Sequence, residues 1–226
     1  MKNRRLRANE MVILLKRWEF SSCKEVFDTI AARDENEERR VVACFVAGQL
    51  QRHEALGALL IALEDCSERV SFSAGSALSA IKSHKVTRKL IQVIRCSPRE
   101  HNRYASICAL FGAPDRRTRQ ILLAVVKGHG DPQTRSLAAE VLGQLTPTPR
   151  STDALLDALH DGEASVRFGA LCGLGGFASP PTGVIERGVE ALCNDTARGV
   201  GQETIGQRAS LLLKEMRSLR KLFGGS

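Results

Sequence analysis

Histidine, cysteine, serine and the acids build most catalytic and metal centres, so their spacing is weighed first. None of the five histidines pairs with another as HxxxH or HExxH, the spacing that sets two imidazoles on one helix face around a metal. His53 and His84 occupy equivalent places in a repeating pattern, and His129 and His160 fall in Gly- and Asp-containing breaks, so all four read as solvated loop residues. The seven cysteines form no CxxC pair. Their odd number argues against a disulfide framework, and their spacing argues against a zinc site. Cys108 and Cys172 share one position of the pattern, and Cys66 and Cys193 share another, which is periodicity and not chemistry. The glycines of GLGGFASPPTG follow a helical segment, with no strand before them and no Lys to meet a phosphate. No serine stands in a nucleophile turn with His and Asp at hand. The expectation is a non-enzymatic chain with no catalytic residue, metal or cofactor.

What recurs is an arginine. With Arg167 of SVRFGALCGLG as position zero, the same place is taken upstream by Arg135, Arg103, Ser71 and Arg40, and downstream by Arg198. Successive spacings are 31 or 32 residues. Three residues on come Ala43, Ala74, Ser106, Ala138, Ala170 and Gly201, all tiny; seven on come Ala47, Leu78, Leu110, Leu142, Leu174 and Ile205, all apolar. Glycine is frequent one position later, near the expected helix end. Between these helices lie second apolar segments of helical period, EALGALLIAL, KVTRKLIQVI, RRTRQILLAVV, STDALLDAL and GVIERGVEAL, separated by breaks such as SPRE, GHGDPQ and TPTPRS. Each unit is therefore a helical hairpin that cannot bury its apolar face alone, and neighbours must stack. The tiny column lets backbones approach, and the leucine column fills the seam.

The stretch DGEASVRFGALCGLG followed by VIERGVEALCND resembles the short HEAT-like repeat of phycobilin-lyase-type proteins, and the resemblance covers nearly the whole chain. It implies an all-α fold, a right-handed α-solenoid of about six hairpins of about 32 residues. On that reading residues 22–206 are the solenoid, residues 1–21 a basic N-terminal cap, and residues 207–226 a basic capping helix and tail. Ser71 departs from the pattern, and Gly199 and Gly201 weaken the sixth helix so that it can merge with the C-terminal one.

At 100° per residue, position +7 lies within 20° of position zero, so the arginine points into the stack. A cation at a helix N-terminus opposes the dipole and wants a partner, and Asp34, Asp65, Asp131, Asp161 and Asp195 precede these helices. The resemblance implies an Asp–Arg ladder between hairpins, carried by Arg40, Arg103, Arg135, Arg167 and Arg198. Position +1 lies 200° from the tiny column and faces away from it. It holds Val41, Phe72, Tyr104, Ser136, Phe168 and Gly199, beside a +5 column that is partly wet because it contains Glu140 and Glu203. Phe72, Tyr104 and Phe168, with Glu140 beside them, are the candidate partner contacts on what the resemblance makes the concave side.

Aromatics make up only 4% of the chain, which suits close-packed helices better than a sandwich. The net charge of +8 sits at the two ends, residues 1–20 and 207–226 each carrying +4, and leaves the middle neutral. Lys214, Arg217, Arg220 and Lys221 share a helix face that could meet an acidic protein, nucleic acid or anionic lipid. The apolar run Met11–Leu15 is too short for a signal sequence, no run is long enough to span a membrane, and the cysteine usage fits a reducing cytoplasm. These features point to a protein–protein interaction scaffold. One alternative the resemblance suggests is nucleic-acid binding, as in alkylpurine DNA glycosylases built of HEAT-like repeats, although Trp18 is the one tryptophan and the middle is neutral. A bilin-lyase-like protein is the other.

Overall fold

The computed structural model describes residues 13, 15–32, 36–81, 86–111, 115–128, 130–177, 183–199, 201 and 203–223. Asp34, His84, His129, most of the basic N-terminal segment and the final GGS lie outside them. The chain divides into two compact units, residues 1–113 and 114–226.

The first unit contains α1 (Cys23–Ala31), α2 (Glu37–Leu50), α3 (Leu56–Ala62), α4 (Glu68–Ile81), α5 (Thr87–Cys96) and α6 (Glu100–Ala109). The second contains α7 (Arg116–Val126), α8 (Pro132–Gly143), α9 (Pro149–Ala158), α10 (Ala164–Gly175), α11 (Gly183–Glu190) and α12 (Ile205–Phe223). Among the described residues the one extended pairing is the isolated bridge Arg198–Thr204. The architecture is all-α.

Helix starts follow side-chain chemistry. Ser22, Asn36, Asp115 and Asp131 accept N–H groups of the first turns of α1, α2, α7 and α8, and Thr148 closes a capping box with Ser151 ahead of α9. Pro132 and Pro149 stand in first turns, where no N–H is missed. At the other end of α2, Gln51 turns left-handed, with φ of 51°, and stops the helix.

Within each unit the helices form two rows. The arginine row is α2, α4 and α6 in the first unit and α8, α10 and α12 in the second; the backing row is α1, α3 and α5, then α7, α9 and α11. Each arginine-row helix packs on the backing helix that precedes it, so a hairpin ends, and does not begin, with the arginine helix. The whole leucine column, from Ala47 to Ile205, is buried, as are Ala43, Ala74, Ser106, Ala138 and Ala170 of the tiny column. Gly201 is exposed, with φ of 83°. The helix anticipated at Arg198 is absent: residues 191–199 are turn and coil, and the row resumes at Ile205. Backbone meets backbone between α8 and α10, where a β-carbon on Gly143 would collide with the Gly173 backbone.

Candidate protein-binding surface

The arginines divide into three kinds. Arg40, Arg135 and Arg167 each reach the aspartate in the loop of the following hairpin: Arg40 pairs with Asp65, Arg135 with Asp161, and Arg167 with Asp195, the last at 2.9 Å. The same three aspartates accept the backbone N–H two residues on, at Ser67, Glu163 and Ala197, so each carboxylate holds its own loop while gripping the previous hairpin. The guanidinium of Arg167 also donates to the Asp161 and Gly162 carbonyls of its own loop. Arg40–Asp65 is the most deeply buried pair, its side chains 5% and 4% exposed. Burial of Asp65 and Asp161 works to raise their pKa values. The arginine hydrogen bond and charge, with the loop N–H, overcome this and hold both below 3.8.

The second kind is Arg103. It turns back to Glu100 and to the Ser97 carbonyl of its own loop, while Asp131 caps α8 through the Thr134 N–H. The third is Arg198, exposed and without an ion pair to any described residue. Neither makes the inter-hairpin pair expected of it among the described residues. For Arg198 the reason is local, since Gly199 and Gly201 replace the helix that would aim it.

Ser71 lacks the guanidinium, and the next hairpin's loop has Ser97 where a rung would need Asp. The structure fills that rung with neutral groups. Ser71 Oγ donates to the Leu63 carbonyl at 2.9 Å. Asn102, 1% exposed, turns its amide nitrogen to Ser71 Oγ and the Asp65 carbonyl, each at 3.1 Å, and His101 Nε2 lies 3.2 Å from the same carbonyl. Nothing in the repeat pattern had marked Asn102.

The aromatic candidates split as well. Phe72 and Tyr104, in the first unit, are half-buried and meet edge to face, ring centres 5.2 Å apart. In the second unit Phe168 is half-buried against Gly199, where a β-carbon would run into its ring. Glu140 is exposed. All three rings therefore pack sideways on an adjacent hairpin, and Phe168 is covered by a loop in place of the expected helix.

Two rings that the column at +1 did not contain are more open. Phe45, at +5 on α2, is 47% exposed, and Phe111, in the turn after α6, is 46% exposed. By helical angle +5 lies about 40° from +1, so Phe45 shares the face of Phe72 and Tyr104, while Phe111 stands in the turn that ends the helix of Tyr104. Trp18 meets Phe45 edge to face at 6.1 Å, and Arg17 lies over the indole. The first unit thus leaves two rings, Phe45 and Phe111, open to solvent, with Arg17 over the indole beside the first of them.

The same columns in the second unit give a polar surface, with Glu140, Cys172 and Glu203 at +5 and Arg208 nearby. Burial pushes the Cys172 thiol up while Arg208 pulls against it. Burial likewise pushes Cys44 to about 12, so that thiol packs as a small apolar group. None of the seven cysteines is joined in a disulfide. Among the described residues no group of His, Cys, Asp and Glu could hold a metal ion, and no helix is long and apolar enough to cross a membrane.

On α12, Arg217 pairs with Glu190 at 3.0 Å and Arg220 with Glu186 at 2.9 Å. Two of the four cations of the candidate basic face therefore tie α12 to α11. Lys214 and Lys221 are exposed and make no ion pair with a described residue.

The sequence profile described as HEAT repeats matches residues 28–110 and 87–175. A chain from the CpcE–CpcF complex of phycocyanin lyase from Nostoc sp. PCC7120 is similar in structure, with a TM-score of 0.50, 15% identity, and 96% of this chain and 97% of that one covered. The HEAT-like repeats protein of the archaeon Thermococcus onnurineus NA1 is similar at a TM-score of 0.56 and 15% identity, with 93% of each chain covered. At this identity the likeness is one of fold, that of an α-solenoid. No curated protein matches the chain.

Proposed function

The chain belongs to the HEAT-repeat family, and we propose that it is a non-enzymatic scaffold that binds a protein partner along the open face of its arginine row, within a reducing cytoplasm. The observation that carries this reading is the aromatic surface of the first unit. Exposed Phe45 stands on the helical face of the Phe72–Tyr104 pair, and exposed Phe111 follows in the turn after Tyr104's helix, in a chain with ten aromatic residues in all. Rings held by their neighbours and open on one side give large contact area at low entropic cost, which is what anchors an interface. A structural neighbour that is itself part of a two-protein complex supports the same use of the fold. The ladder, on this reading, supplies rigidity and no recognition. The separation of roles follows from burial: Arg40, Arg135 and Arg167 are spent on aspartates and loop carbonyls, and Phe45 and Phe111 are left facing water.

The test is affinity capture from native-cell extract with the full chain as bait, compared with Phe45→Ala/Phe111→Ala and with a backing-row control, Gln92→Ala/Arg95→Ala. The reading expects proteins retained by the wild type and the control to be lost from the aromatic variant, with unchanged helical circular dichroism. Equal retention by all three baits would overturn it.

A further inference from the structure

The last helix carries a second surface, at the end of the row in the second unit, which stands without the aromatic face. α12 packs on α10 and on α11. Leu212 and Arg208 lie toward α10, within reach of a β-carbon placed on Gly175. Ser210, Lys214 and Lys221 lie about 120–180° round the helix from those two, and all three are exposed. On α8 the next helix covers the row, with Gly143 set against the backbone of Gly173. On α12 the side away from α10 is hydrophilic, so the row closes there as a cap.

This side borders a groove between α12 and residues 190–196. Two hollows of about 560 and 700 Å³ compose it, and they run together, because Cys193, Asn194 and Ser210 line both. From Thr204 to Lys221 the α12 wall is about 25 Å long, the span of about eight extended residues. Charge is confined to one half. Lys214, Arg217 and Lys221 line the larger hollow within about 10 Å of helix. Lys214 and Lys221 make no ion pair with a described residue. Arg217 holds Glu190 at 3.0 Å, but both side chains are more than half exposed, which leaves that pair weak and exchangeable. Glu215 points about 100° round from Lys214, outside the groove.

The other half is neutral, walled by Thr196, Thr204 and Gln207. Its one acid, Asp195, is held by Arg167 and by the Ala197 N–H. The start of α12 is closed to an anion as well. Thr204 N–H donates to Gln207 Oε1, and Gln207 N–H donates to Thr204 Oγ1.

Such a groove fits a ligand whose charge is equally lopsided. A nucleic-acid strand carries a phosphate at every step and would lay some of them along the neutral half, beside Asp195. No ring lines the groove to stack its bases. The first twenty residues of the chain, at +4, would meet like charge. A peptide can gather carboxylates at one end and offer backbone N–H and C=O groups along the rest. The hydroxyls and amides of Thr196, Gln207 and Asn194 can bind those groups.

We propose that this groove seats an extended segment of a partner protein, its acidic run over Lys214, Arg217 and Lys221 and its neutral run toward Gln207 and Thr196.

The experiment titrates the full chain into fluorescein-labelled peptides that join a run of glutamates to a run of serines and asparagines, with the acidic run at either end. A peptide of the same composition with its glutamates evenly spread is the comparison. Fluorescence anisotropy should show saturable binding of one acidic-run peptide, at least several-fold tighter than the spread one. Lys214→Glu/Lys221→Glu should weaken it by about tenfold or more, and so should Ser210→Phe, which fills the middle of the groove without changing charge. Arg116→Glu/Arg117→Glu, the same charge change at exposed positions of α7, should leave it within about twofold. Circular dichroism checks that each variant is folded. Equal binding of the spread peptide, undiminished binding by either groove variant, or an equal loss in the α7 variant overturns the proposal. So does a single-stranded oligonucleotide that binds more tightly than the peptides and is lost with Lys214→Glu/Lys221→Glu, which would give the groove to nucleic acid. A dimer in sedimentation that Ser210→Phe dissolves would overturn it in favour of a second copy. Phe45 and Phe111 are untouched in these variants, so failure here leaves the aromatic-face reading standing, and the reverse.

Discussion

The first unit leaves rings of its repeat in water, whereas the second lays its corresponding ring on a glycine. Tyr104 and Phe168 hold the same place in successive arginine helices but one, and both are half-buried. Tyr104 meets another ring, Phe72, at 5.2 Å, and the same unit leaves Phe45 and Phe111 exposed. Phe168 meets the backbone at Gly199, because the next hairpin has a glycine at that position and a loop in place of a helix. One column thus gives a ring on a ring where Tyr104 follows Phe72, and a ring on backbone where Gly199 follows Phe168. The polar rungs show the same logic. At Arg40–Asp65 a charged pair ties the hairpins; where both become Ser, at Ser71 and Ser97, Asn102 supplies a neutral tie.

The sharpest way to strain this comparison is to cut the deepest rung. Arg40→Ala leaves Asp65 buried without its cation and should cost about 3–5 kcal/mol. Arg167→Ala, in a rung 15–18% exposed, should cost about 1.5–3 kcal/mol. Urea denaturation measures both, and equal losses would contradict the ranking by burial. Next comes the plug. Gly199→Ala forces the Phe168 ring aside and should cost about 1–3 kcal/mol, while Ser76→Ala on the open face of the first unit should fall within about 0.5 kcal/mol.

Acid probes the rungs together. Asp65 and Asp161 titrate below 3.8 when folded, so the unfolded chain takes up protons first as pH falls. The stability these pairs contribute is complete above about pH 4–5 and is lost progressively below it. Thermal melts from pH 6 to pH 3 should show that decline, and Asp161→Asn should flatten part of it. Phe45→Ala should cost only about 1 kcal/mol or less, since it removes an exposed ring and one edge-to-face contact with Trp18.

Much of this was legible in the chain itself because the repeat is periodic. The 31–32-residue spacing placed the leucine column, every member of which is buried, and angle alone turned the arginines into the stack. Aspartates ahead of the helices supplied partners for three of them. What periodicity could not convey is what lies one hairpin away. Phe168 looked open because Val41, Phe72 and Tyr104 share its column, yet Gly199, next in that column, is what lets the chain lie against the ring. Phe45 and Phe111 escaped notice because their columns otherwise hold Ser, Cys, Glu or Gly, so no pattern singled them out. Arg217 and Arg220 read as free cations because Glu190 and Glu186 lie 27 and 34 residues away. Asn102 stands one residue before Arg103 and had no signal beyond the missing Arg at 71 and the missing Asp at 97.

Trp18 offers the most direct test of the aromatic face, because it is the single tryptophan and lies against Phe45. The chain prepared with fluorotryptophan gives one fluorine NMR signal, which can be followed while a partner recovered by affinity capture is titrated in. A partner seated on this face should shift or broaden that signal in a saturable way, and Phe45→Ala/Phe111→Ala should weaken its binding by about tenfold or more. A partner that binds the wild type and the variant equally, leaving the Trp18 signal where it was, would contradict the account.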